Sequence, residues 1–142
     1  MPDHSARHSV SVAGVVVDGD KALLVQRRDN AHWEPPGGVL EVAETITDGL
    51  VREVREETGL TVEPIALTGV YKNMTRGIVA LVFRCRSVAG NLLTNDEVKS
   101  FHWATKDEVT AMLDEAYAVR VLDAMQAEHP KIRHHDGVNL LG

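Results

Sequence analysis

Three glutamates, Glu53, Glu56 and Glu57, stand in the run Arg52-Glu53-Val54-Arg55-Glu56-Glu57 at spacings of three and four residues from Glu53. If the run is helical, they share one face. Like charges at that spacing cost a helix stability, so the arrangement asks for a compensating cation, and a hard divalent metal with oxygen ligands is the natural one. Such a metal neutralises phosphate, lowers the pKa of its bound water to make a nucleophile near neutral pH, and stabilises charge growing on a leaving phosphate. Ahead of the run, Gly37-Gly38 closes a loop whose missing side chains let backbone approach a ligand and whose peptide groups can coordinate or donate. The combination suits an enzyme that holds a metal against a diphosphate.

These residues need elements to position them. From about Glu44 the spacing is helical, with Ile46, Leu50, Val54 and, less regularly, Val51 as an apolar stripe opposite the acids, and Thr58-Gly59 ends the helix with Gly59 as a left-handed cap. Upstream, the β-branched run from His8 to Val17 and the run KALLVQRR are joined by Asp18-Gly19-Asp20, a β-hairpin. The segment Asp29 to Gly38 carries two prolines and two glycines and reads as a shaped loop, neither helix nor central strand. Downstream, TVEPIALTGVY and GIVALVFRCRS are β-rich and separated by KNMTR, and Ser100 to Trp103 reads as a shorter strand. A capping signal at Ala104 to Glu108 leads into EVTAMLDEAYAVRVLDAMQAEH, helical in two pieces or with a bend. No secondary structure is expected for the last segment, HPKIRHHDGVNLLG.

The chain of 142 residues fits one domain, 1–142, and its 44% hydrophobic and 25% charged residues are those of a soluble globular protein. MPDHSARHS has no signal-like apolar run and no stretch reaches the eighteen apolar residues of a membrane span, so the expected setting is cytoplasmic, with no membrane partner. The single cysteine, Cys85, sits in IVALVFRCR, has no disulfide or zinc partner, and reads as a buried thiol. A net charge of −6 argues against a polynucleotide partner, though an acidic protein can still bind phosphates through a metal.

The segment also fits a pattern, G-x5-E-x7-R-E-U-x-E-E-x-G-U with U aliphatic, through Gly38, Glu44, Arg52, Glu53, Val54, Glu56, Glu57, Gly59 and Leu60. It resembles the Nudix box, at residues 38–60. The resemblance extends to a strand ending in Arg27-Arg28, to the Trp-x-x-Pro-Gly-Gly entry from Trp33 to Gly38, and to the order of later strands and C-terminal helix. It implies an α/β fold, an α/β/α sandwich around a mixed sheet, and a hydrolase of nucleoside diphosphates linked to another moiety that uses Mg²⁺ or Mn²⁺. By the same resemblance Glu53, Glu56 and Glu57 are metal ligands, the carbonyl of Gly37 or Gly38 completes a site, and Glu44 and Arg52 orient the loop against the helix through a charge-assisted pair. One departure is Pro35, where many members carry a large apolar residue; Pro35-Pro36 stiffens the entry and removes a donor.

Outside the box, the resemblance places a further acid after the sheet strands, and Glu97 is chosen over Asp96. The general base is left open between Glu97 and a box glutamate, Glu53 or Glu57. Arg27, ending its strand at the mouth of the loop, could hold a phosphate bidentately, with Arg28 on the opposite face. Lys72 and Arg76 read as solvated loop cations, His32, His102, His134 and His135 as surface or packing residues, and Trp33 and Trp103 as core residues rather than base-stacking platforms. The resemblance further implies a small nucleotide substrate, by default a nucleoside triphosphate as for MutT-type pyrophosphohydrolases. Thr75, Arg76 and Gly77 stand where ADP-ribose and dinucleoside polyphosphate hydrolases carry Pro or Tyr. Many relatives are dimers, which admits a homodimer. The competing reading is a Nudix-like module that binds a nucleotide without cleaving it.

Overall fold

The computed structural model describes residues 6–126 and 128–142. Residues 1–5, within the start read above as free of a signal, and Ala127, in the stretch expected to be helical, lie outside the described residues. Strands β1 (Ser9–Asp18) and β2 (Lys21–Arg27) form the expected hairpin, with Asp18 opposite Lys21 and Gly19 at φ +61° in the two-residue turn. Next come β3 (Trp33–Glu34), β4 (Gly37–Val39), α1 (Ile46–Thr58), β5 (Leu60–Asn73), β6 (Ile78–Gly90), β7 (Val98–Ala104), α2 (Lys106–Met112), α3 (Glu115–Gln126) and β8 (Lys131–His135). The sheet runs β3-β2-β1-β6-β5-β8, with β4 paired to β1 and β7 to β2. It is mixed: β1 lies parallel to β6 and β8 parallel to β5, and the other pairs are antiparallel.

The pleat sorts the apolar residues to two faces. Val12, Val16 and Leu23 join Leu50 and Val54 of α1 in one cluster, and Ala13, Val15 and Leu24 join Val109, Val121 and Ala124 of α2 and α3 in the other. That is the α/β/α sandwich expected from the sequence. On the α1 face Gly14 keeps the helix close, because a Cβ there would stand 2.8 Å from Val54 Cγ2.

Three readings need correction. Ile46 is 43% exposed, because it is the first residue of α1 and projects beyond the sheet, so the buried stripe begins at Leu50. The segment from Asp29 to Gly38 is not loop throughout: β3 and β4 form on either side of Pro35-Pro36, each pairing with an available strand. The C-terminal segment holds a strand, β8, whose pattern of exposed and buried residues hides its pairing with β5. What anchors β8 is polar. Asp123 of α3, almost fully buried, accepts the Tyr71 hydroxyl at 2.7 Å and both Nε and Nη2 of Arg133 at 2.8 Å. Burial, then the Asp123 hydrogen bond, push the Tyr71 phenol above its usual range.

Asp123→Ala removes the acceptor shared by a buried hydroxyl and a guanidinium. The expected cost is about 3 kcal/mol, and Tyr71→Phe should cost about 1 kcal/mol. Urea midpoints check the order, and amide exchange of residues 131–135 should speed up selectively in the Asp123 variant.

Candidate active site

Helix α1 starts where Thr45 caps it, its hydroxyl accepting from Asp48 N–H at 3.2 Å, and stops at Gly59 with φ +84°, whose N–H reaches Arg55 O at 2.8 Å. Between these ends Arg52 is the hub. Its guanidinium grips Glu44 bidentately, Nε to Oε2 at 2.9 Å and Nη2 to Oε1 at 2.6 Å, while Nη1 donates to Glu53 at 2.9 Å and Glu56 at 3.2 Å. Glu44 also accepts from its own loop through Glu41 N–H at 2.9 Å, and Arg52, first among its partners, holds the carboxyl down at about 2. Loop and helix are thereby joined as the sequence predicts.

The three glutamates fan from buried to exposed. Glu57 is 7% exposed and accepts Gly37 N–H at 2.8 Å, Glu53 is half-buried, and the Glu56 side chain is 60% exposed. Burial pushes the Glu57 carboxyl up to about 7, the Gly37 hydrogen bond opposing, with Glu34, Glu53 and Glu97 adding repulsion. Burial also raises Glu53, against the pull of Arg52 and with Glu56 and Glu97 repelling it. Gly38 forms the floor beside them: a Cβ on it would collide with the Glu53 carboxylate.

These residues fit a hard divalent cation in one respect and not in another. The donors are carboxylates of the right type, two of them, Glu53 and Glu57, raised by burial and by neighbouring acids. Among the described residues, however, no three acidic, His or Cys side chains are gathered as a ready-made cage. The arrangement suits Mg²⁺, which keeps waters and takes one or two carboxylates with substrate oxygens completing its shell.

Glu97 is exposed, and its backbone, not its carboxylate, makes the local bonds: its N–H reaches Asn95 Oδ1 at 2.9 Å and its carbonyl accepts Arg28 N–H at 2.8 Å. Its charge nonetheless acts on both Glu53 and Glu57, so it lies within electrostatic reach of them. Arg27 lies where expected but is already engaged, by Asp29 at 2.9 and 2.7 Å and by Glu34 at 3.3 Å. Arg28 turns away and donates to Asn95 O at 2.6 Å. Trp33 and Trp103 pack against opposite core clusters, and His135 is fully buried. The Cys85 thiol is buried and pushed up to about 12.

Two adjoining cavities open beside the glycine strand. One of about 200 Å³ is walled by β1, β4 and α3, and a larger one of about 840 Å³ reaches Trp33, Thr75, Arg76 and Asp136; Arg27, Glu34, Asn73, Ile78 and Tyr117 line both. Sequence reasoning passed over Glu34, Asn73, Tyr117 and Arg120 in these walls. The available signal was Arg120 itself, a lone cation in the apolar run YAVRVL.

The family model of the NUDIX domain matches residues 7–125. A MutT-like protein of Streptomyces ambofaciens is 56% identical over 135 residues, covering 94% of this chain and 88% of that protein. An ADP-ribose pyrophosphatase of Methanocaldococcus jannaschii is 34% identical over 98 residues, 64% of this chain and 58% of that protein. Among solved structures, an ADP-ribose pyrophosphatase from Streptococcus suis superposes with a TM-score of 0.75 at 24% identity over 89% of this chain and 99% of that one. A MutT protein from Bacillus halodurans gives 0.70 at 26% identity over 94% and 95%.

The two carboxylates that tie the loop to α1 carry opposite pH signatures. A carboxyl raised from 4.5 to about 7 weakens the fold once pH exceeds 4.5, fully so above 7, by on the order of 3 kcal/mol. Glu57→Gln in EDTA should therefore melt like the parent near pH 4 and above it by pH 8. Glu44, held low, stabilises above 4.5 and loses that contribution as pH falls towards 2, so Glu44→Gln should melt below the parent at pH 7 and converge with it in acid. Melting curves across pH 3 to 8.5 check both signs.

Proposed function

The chain belongs to the Nudix hydrolase family, and from that premise we propose that it hydrolyses a phosphoanhydride bond in a nucleoside triphosphate, with Mg²⁺, or Mn²⁺ in its place, held at α1. The observation that carries the reading is the pairing of Glu57 with Gly37 N–H and of Glu53 with the Gly38 floor, which sets two carboxylates of α1 against a bare peptide strand. Glu53 and Glu57 would hold the cation, Glu56 would assist from the exposed side, and the carbonyl of Gly37 or Gly38 would complete the set. When bound, the metal supplies a water of lowered pKa and neutralises bridge charge. Arg52 fixes the carboxylates and, through Glu44, the loop. Glu97 is our choice of proton acceptor, since it is exposed and its charge reaches Glu53 and Glu57. Arg27 needs Asp29 or Glu34 to release it before it can take a phosphate.

The triphosphate is favoured over ADP-ribose because the MutT-like relative spans nearly the whole chain at high identity, whereas the ADP-ribose pyrophosphatase matches about two thirds of it at 34%. Thr75 and Arg76, which stand where other subgroups place Pro or Tyr, line the larger cavity.

A product-resolved panel of nucleoside triphosphates, nucleotide sugars, ADP-ribose and dinucleoside polyphosphates tests the proposal. Turnover should need Mg²⁺ and stop with EDTA, and Glu57→Gln and Glu97→Gln should each lower kcat by about 100-fold or more with a smaller change in KM. Undiminished activity in Glu57→Gln sinks the assignment. Tight nucleotide binding with no turnover across the panel would instead favour a sensing module.

A further inference from the structure

Arg120 of α3 is 8% exposed, lies in the wall of the smaller cavity, and among the described residues forms no ion pair. Its Nε is buried without a partner, the one such side-chain atom among the described residues. Its remaining polar contact is compromised. Nη2 stands 3.0 Å from His135 Nε2, while Gly137 N–H donates to His135 Nδ1 at 3.0 Å. A buried neutral imidazole has one acceptor nitrogen, and burial, then Arg120, hold this one below its usual pKa. One neutral tautomer cannot accept from both Arg120 Nη2 and Gly137 N–H, so His135 satisfies at most one of these two donors.

The guanidinium is held rigidly all the same. Its Cζ lies 5.4 Å from the centre of the Tyr71 ring and 4.7 Å from that of Tyr117. Nearby acids answer it only at a distance, Glu34 attracting it across the cavity without a hydrogen bond. Asp123 is committed to Tyr71 and Arg133, and Glu34, across the cavity, bonds to Arg27. Asn73 adds a second donor to the same wall: its Oδ1 accepts Thr75 N–H at 3.0 Å and Arg76 N–H at 3.1 Å, which turns its NH₂ outward. Ser9 and Ser11 bring hydroxyls.

An unpaired buried cation costs several kcal/mol, and a neutral carbonyl returns only a fraction of that, whereas an oxyanion cancels the charge and takes the fork bidentately. We propose that Arg120 and Asn73 form an oxyanion site on the α3 side of β4, occupied by a phosphate group of the substrate other than the one held over the acidic face of α1. The inference rests on the hydrolase reading only for the source of that phosphate. Substrate would then straddle the glycine strand, with the cleaved bridge on the α1 side and a further phosphate on the α3 side. Nucleotides with no phosphate to spare beyond the bridge would lack this contact.

The test uses the full chain in EDTA, titrated with inorganic phosphate and with pyrophosphate, and in parallel with the neutral nucleosides guanosine and adenosine. The anions should raise the melting temperature of the parent, Arg120→Lys should weaken their binding by about tenfold, and Arg120→Met should abolish it. Arg120→Met without ligand should melt no lower than the parent, because an unpaired buried charge has gone. The proposal fails if the parent binds neither anion, if Arg120→Met binds them as the parent does, or if nucleosides rather than anions depend on Arg120. It also fails if Arg120→Met merely melts lower with anion binding intact. Turnover of triphosphates by a parent that shows no Arg120-dependent anion binding defeats this site alone, and anion binding without any turnover defeats the hydrolase reading alone.

Discussion

The hydrogen bond from Gly37 N–H to Glu57 is the contact on which the rest of the candidate site depends, because it joins α1 to β4, the strand that lines the smaller cavity. It forms only if α1 lies close against β1 and β4. Gly14 permits the approach beneath Val54, Gly37 has no room for a Cβ beside Val12 O and Ala13, and Gly38 leaves space for the Glu53 carboxylate. Leu50 and Val54, fully buried, supply the apolar contact that holds the helix there. The cost is a carboxylate kept out of water with one backbone donor to satisfy it. Arg52 offsets the charge of Glu53 and Glu56 but has no contact with Glu57, which stays the most perturbed of the three.

Charge is therefore distributed unevenly across β4. On the α1 side Glu53 and Glu57 are each repelled by neighbouring glutamates, Glu97 among them; on the α3 side Arg120 is buried without an ion pair among the described residues, with Glu34 attracting it only from across the cavity. A fold optimised only for stability would remove both conflicts, since apolar replacements of unpaired buried charges are commonly neutral or favourable. Partly compensated charges of opposite sign on the two sides of β4 would suit a ligand that brings a cation to one side and phosphate to both, and such a ligand would return the stability given up at each place.

The acidic side was legible in the sequence because its parts are local. Glu44, Arg52, Glu53, Glu56 and Glu57 lie within one loop and helix, and helical periodicity alone puts the acids on one face. Alternation in β1 and β2, Gly19 in its turn, the Thr105 cap and Gly59 were readable for the same reason. β8 was not. Four of its five residues are charged or histidine, its pairing with β5 spans some sixty residues, and its anchor is Asp123 reaching Tyr71 and Arg133, a contact no periodicity encodes. The α3 side of the cleft depends on the same long-range assembly, since Asn73, Tyr117, Arg120 and His135 come from β5, α3 and β8. That Arg27 ends β2 was readable from strand order, but the acids that occupy it, Asp29 and Glu34, become visible only once the loop is folded.

The Pro35-Pro36 entry links the two sides. Both prolines are buried, Pro36 O accepts Gly14 N–H at 2.9 Å, and Pro35 lines the smaller cavity. A proline pair fixes two φ angles and donates nothing, so it holds Glu34 and Gly37, the residues on either side of it, at a set separation. Glu34 bonds to Arg27 and faces the Arg120 cavity, whereas Gly37 bonds to Glu57. A flexible apolar residue at Pro35 would let these two contacts shift independently. With proline there, the separation between Glu34 in the cavity wall and Gly37 beside the α1 carboxylate is held by the chain itself, so the entry loop ties the α3-side cavity to the acidic face of α1.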